Sequence, residues 1–89
     1  MLRGYNITTT STGLIAPGGG GAVLWCVNIN TPTAGAVLKL YNNVAVSAPD
    51  ILASIDCSQQ ASLWYAVYAN KGLFYALSGA NADITVGYQ

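Results

Sequence analysis

Histidine and glutamate are absent from this chain, and charge of either sign is scarce. Arg3, Lys39 and Lys71 stand against Asp50, Asp56 and Asp83, for a net charge of zero. Without histidine there is no imidazole base, no His-based triad and no imidazole metal ligand. A cysteine nucleophile would need another activator, and none is apparent. The two cysteines, Cys26 and Cys57, fall short of the four ligands a zinc site usually takes. Each aspartate sits beside a turn signal, where a carboxylate commonly caps or bonds backbone. That reading is preferred over a glycosidase-like carboxylate pair. No catalytic residue, cofactor or metal site is expected.

The other scarcities exclude partners. Phosphate backbones are bound by clustered Lys and Arg that displace counterions, and three scattered basic residues argue against nucleic acid. No apolar run approaches the ~20 residues of a membrane-spanning helix. The start, Met1-Leu2-Arg3-Gly4-Tyr5-Asn6, lacks the apolar core of a signal peptide. The chain is therefore expected to be made and held in the cytoplasm until it is assembled or released. In that setting Cys26 and Cys57 are expected reduced and buried, as small apolar groups.

What the chain has is apolar side chains. They make up 53% of its 89 residues, with 7% charged, where an ordinary soluble domain carries about 25% charge. A single domain of this size buries only about 60–65% of its unfolded surface. An outside so poor in charge, at zero net charge, tends to associate. Assembly is the preferred explanation; a surface dressed in Thr, Ser, Asn and Gln is the plainer one.

The pattern along the chain is that of strands. Residues two apart share a face of an extended segment, and in the last stretch Leu73, Tyr75 and Leu77, then Ile84, Val86 and Tyr88, do so. Between them Ser78–Ala82 reads as a hairpin loop, with Gly79 and Asn81 as residue types that tolerate positive φ. Ala22–Ile29 is the strongest strand. Strict alternation puts Val23, Trp25, Val27 and Ile29 on one face and Ala22, Leu24, Cys26 and Asn28 on the other, as in a central strand covered on both sides. Gly18–Gly21 resembles a phosphate loop only in its glycines, because no Lys-Ser/Thr pair or helix follows; it reads as a turn. Ala36, Leu38 and Leu40 are expected inward and Val37, Lys39 and Tyr41 outward. Ile51–Asp56 is too short for a stable helix and reads as a strand. Leu63–Tyr68 is rich in strand-forming types. Residues 1–12 form an N-terminal arm or an edge strand.

Seven or eight short strands with turns every 8–12 residues predict one all-β domain over 1–89, a small antiparallel β-sandwich or jelly-roll-like barrel. So small a core cannot hold every aromatic ring. Exposed Tyr and Trp favour protein interfaces, and Trp64, Tyr65, Tyr68 and Tyr41 are the candidates. A sugar-binding platform is the second reading of the same rings.

Two segments carry a resemblance. Lys71-Gly72-Leu73 through Leu77-Ser78-Gly79, followed by Ala82-Asp83-Ile84-Thr85-Val86-Gly87-Tyr88, resembles small structural proteins of tailed bacteriophages. Gly13-Leu14-Ile15 with its Gly-rich turn and the Val27-Asn28-Ile29-Asn30 strand is similar too. The resemblance implies a capsid decoration (cement) protein. Such a protein is typically a homotrimer on the outer surface of the virion shell, with the major capsid protein as partner and no active site. A head-fibre or tail-associated module binding host carbohydrate is the alternative, and a non-viral assembly subunit a third.

Overall fold

A computed structural model of the chain describes residues 2–17 and 21–89. Gly18, Gly19 and Gly20 of the expected Gly-rich turn lie outside the described residues. The architecture is all-β, with one 3-10 turn at Ala48–Asp50. Among the described residues eight strands form: β1 (Arg3–Ile7), β2 (Ser11–Ala16), β3 (Ala22–Thr31), β4 (Val37–Tyr41), β5 (Ile51–Asp56), β6 (Ala61–Ala69), β7 (Leu73–Ser78) and β8 (Asp83–Tyr88). They make two four-stranded antiparallel sheets, ordered β1-β8-β3-β6 and β2-β7-β4-β5. β1 pairs with β8, β2 with β7, β3 with β6 and β4 with β5. The chain is thus one long nested hairpin, rolled so that alternate strand pairs fall in opposite sheets. This is the strand order of a jelly roll.

The core lies between the sheets. Leu24, Val27, Ile29, Ile84 and Val86 of the first sheet meet Leu38, Leu40, Ile55, Leu73 and Leu77 of the second, all buried. The inward faces expected of β4, β7 and β8 are the observed ones. The closing hairpin is not. β7 and β8 belong to different sheets, so the Gly79–Ala82 connection crosses the sandwich. Alternation reports which face of a strand is apolar; it is silent about the neighbour. Gly79 has φ +87°, and a Cβ there would collide with the Gly35 carbonyl. Asn81 does not take positive φ; its side-chain carbonyl instead accepts the Thr10 N–H at 2.8 Å.

Strict alternation also fails in β3. Its pairing shifts register between Leu24 and Cys26 against both β6 and β8. One extra residue there re-phases the strand. Ala22 and Leu24 face inward before the shift, Val27 and Ile29 after it, and all four are buried. β6 absorbs the shift at Tyr65–Ala66, where Ala66 takes φ +79°. β3 is central, as expected, but its outer side is only partly covered: Cys26 is buried there, while Trp25 and Asn28 are half-exposed.

Within the stretch expected as an arm or an edge strand, Arg3–Ile7 is an edge strand and Ser11 and Thr12 open β2. β1 pairs with β8 from Arg3↔Tyr88 to Ile7↔Ile84 and buries Ile7. Both cysteines are free and buried. Cys57 lies in the core, where burial raises its thiol pKa.

An alanine in the left-handed region costs roughly 1–2 kcal/mol, which glycine avoids at a smaller entropic cost in the unfolded chain. Ala66→Gly should therefore stabilise the fold by roughly 0.5–1 kcal/mol, and Ala66→Val should destabilise it. Urea unfolding of the two variants checks this; equal midpoints would exclude the strain.

Candidate interaction surface

The outer face of the β1-β8-β3-β6 sheet is divided in two. Register sets which side chains are neighbours, since directly opposed residues share a face. Gly4, Gly87, Cys26 and Trp64 form one row across the four strands; Asn6, Thr85, Asn28 and Ser62 form the next. Beyond the glycine row, Gln89 and Val23 exchange backbone hydrogen bonds and Val23 stands opposite Tyr68. The bulge brings Trp25 into this region, where its indole N–H donates to the Gln89 side-chain carbonyl at 3.0 Å. One half of the face is therefore aromatic. Trp64 is 73% exposed and Tyr68 61%. Gly87 leaves room for the Cys26 sulfur, and Gly21 for the Tyr68 ring.

The other half is an amide and carboxylate cluster. The Asn6 side-chain amide donates to Asp83 Oδ1 at 2.7 Å and to the Ile84 carbonyl at 3.1 Å. The Asn30 amide donates to Thr85 Oγ1 at 2.8 Å and Asp83 Oδ1 at 3.2 Å. Asn6 first, then Asn30, hold the Asp83 carboxyl below its ordinary range. On the opposite sheet, Leu14, Phe74, Tyr41 and Ile51 form an apolar row across all four strands. Leu14 and Ile51 are exposed at its two ends.

The four interface candidates do not lie together. Trp64 and Tyr68 share the outer face at the β6 edge. Tyr65 points the other way and packs against the core, where burial raises its phenol pKa. Tyr41 lies in the outer row of the other sheet but is only 5% exposed. Leu14, Phe74 and Ile51 did not stand out in sequence, because register alone puts them side by side. Trp25 would have been placed on the outer face only by anticipating the bulge.

The two open sides of the sandwich differ. On one, Tyr5 and Tyr75 meet with ring centroids 5.6 Å apart, and the Tyr75 hydroxyl lies 3.0 Å from Ser11 Oγ. On the other, between β5 and β6, a cleft of about 430 Å³ opens, lined by Ile29, Ile55, Leu63 and Tyr65 with Gln59 and Gln60 at its rim.

The carboxylates have separate settings. Asp83 belongs to the amide cluster. Asp50 accepts from Lys71 Nζ at 3.0 Å and from the Asn43 amide at 2.9 Å, and Lys71, then Asn43, lower its pKa. Asp56 accepts the Ser58 N–H at 3.0 Å. Among the described residues no three His, Cys, Asp or Glu side chains group as metal ligands. None of the helical segments described is long and apolar enough to cross a membrane. No protein-family model matches the chain, and no curated protein is significantly similar to it.

Lowered folded-state values for Asp50 and Asp83 mean that the stability they contribute is present above the unfolded carboxylate range, about pH 4. It is lost as pH falls through that value and the lower folded ones. The chain has no histidine, the side chain whose ordinary range lies between about pH 5 and 8. Thermal midpoints should be level from about pH 5 to 8 and fall below about pH 4. Asp83→Asn should reduce that acid loss; an unchanged profile would show that the amide cluster holds no charge-assisted bond.

Proposed function

We propose that the chain is a structural virion protein, a capsid decoration protein that binds the outer surface of an assembled bacteriophage shell and strengthens the joints between coat subunits. The observation that carries this reading is the placement of apolar patches on opposite outer faces of a thin, almost uncharged sandwich. One face presents Trp64 and Tyr68, the other Leu14 and Ile51. The molecule is flattened, with Cα extents of 35 × 26 × 17 Å. Exposed apolar area on both broad faces suits a protein that sits between neighbours rather than one that offers a single site. The resemblance of the Lys71–Tyr88 stretch to phage structural proteins points the same way. So does the jelly roll, as far as a fold speaks to function, because many functions share it.

The mechanism is mass action. A protein that binds the assembled lattice and not its separated subunits shifts the equilibrium toward the intact shell. Several weak contacts from an oligomer, a trimer by the resemblance, add avidity. The coat protein is the partner in this reading, and synthesis takes place in the host cytoplasm.

Carbohydrate binding on a head fibre or tail is the second reading. One arrangement favours it: the Asn6–Asn30–Asp83 cluster lies on the same outer face as the exposed Trp64, one to two rows along, so an apolar platform and directional hydrogen-bonding groups share that face.

Co-sedimentation with undecorated phage shells separates the two. The chain should pellet with shells and raise their disruption temperature. Trp64→Ser with Tyr68→Ser should lower occupancy at least about tenfold, as for loss of aromatic interface anchors, with the variant's own melting unchanged. Retention on a glycan array without shell binding would favour the second reading and sink the first.

A further inference from the structure

β6 is the last strand of its sheet, so one of its sides has no neighbour among the described residues. Natural edges are blunted by charge, proline, bulges or brevity. Three of the four edges here are, and on β6 the only such device is a bulge past its middle. β1 is five residues long and carries Arg3. β2 has an irregular register at Ile15 and is followed by Pro17. β5 is preceded by Pro49 and Asp50 and ends in Asp56. β6 runs for nine residues, Ala61–Ala69, with no charge and no proline. Its one interruption is the bulge at Tyr65–Ala66, which leaves Ala61–Tyr65 as an open ladder of backbone donors and acceptors. Water solvates such a ladder, and another extended chain can pair with it directly.

We propose that Ala61–Tyr65 pairs antiparallel with the same segment of a second copy, about a two-fold axis at Leu63. The residue order argues for a second copy over a foreign strand. In this register Ala61 stands opposite Tyr65 of the second copy, Ser62 opposite its Trp64, and Leu63 opposite its Leu63. Opposed residues share a face, so on both faces a small side chain meets a large one. No charge meets its like. The same patch serves both copies, as a two-fold contact requires. The contact also covers the cleft beside β5, because Leu63 and Tyr65 line it together with Ile29 and Ile55. The second copy's Tyr65, placed beside Ala61, lies over its mouth. This pairing stands on the edge alone and does not depend on the shell reading. Combined with a three-fold assembly, it would join neighbouring trimers.

Sedimentation of the 89-residue chain across the micromolar range tests it, with variants that read the register. The expected particle contains an even number of copies and dissociates on dilution. Ser62→Lys with Trp64→Lys sets like charges opposite each other twice and should weaken association at least about tenfold. Ser62→Lys with Trp64→Glu sets opposite charges there and should associate at least about tenfold more tightly than the double lysine variant. Ser62 and Trp64 are exposed on the outer face, and thermal melting checks that both variants fold. As a second arm, Leu63→Cys should oxidise to a linked dimer faster than Gln59→Cys, since Cys26 and Cys57 are buried. A monomer, an odd-numbered particle, equal association of the two charged variants, or no preferential link through residue 63 overturns the pairing. A monomer that still binds shells overturns the pairing alone. An even-numbered particle that ignores shells supports the pairing and overturns the shell reading.

Discussion

Burial of aliphatic side chains between two sheets is the interaction on which this molecule depends. The sandwich has no disulfide to hold it, and the one salt bridge among the described residues, Lys71 to Asp50, lies at the surface, where such pairs contribute little. Among the described residues no buried side-chain polar atom lacks a partner. Every other feature is accommodated to the inner layer. The bulge in β3 exists in this sense for Val27 and Ile29: without the extra residue, one half of the longest strand would turn its apolar side to water. Ala66 sits in an unfavourable backbone region one strand away because β6 must follow the same shift.

Much of the architecture was legible in the chain. The all-β class, the number of strands and the inward faces of Leu38, Leu40, Leu73, Leu77, Ile84 and Val86 follow from alternation and turn chemistry, which are local. Ile51–Asp56 is a strand, as its length implies, and Pro49 and Asp50 belong to a 3-10 turn before it. Partnership was not legible. Tyr75 and Ile84 look like two arms of a hairpin, yet they sit on opposite walls of the core, because strand neighbours are chosen by packing among all eight segments. Bulges are likewise invisible to a period-two reading. That is why Val27 and Ile29 were placed with Val23 and Trp25, and why Trp25 is found beside Cys26 on the outer face.

The candidate surface was legible in part for the same reason. Trp64 and Tyr68 are four apart, share a face and are exposed, which composition and alternation anticipate. Tyr65 falls between them and turns inward. Tyr41 keeps its outward direction but is covered. The apolar row from Leu14 to Ile51 draws one residue from each of four strands scattered over the chain, and nothing in any one strand announces it.

The nesting of the strands has a mechanical consequence. Arg3 lies opposite Tyr88 in adjacent antiparallel strands, so tension applied at those two points would part β1 from β8 like a zip, one hydrogen bond at a time. Load along the β6 edge would meet many hydrogen bonds at once, in shear, and load on the broad faces would bear on the packed core between the sheets. A sandwich of this topology withstands force through its flanks far better than through the ends of its outermost strands. Any assembly that uses it under strain has reason to grip it by the sides.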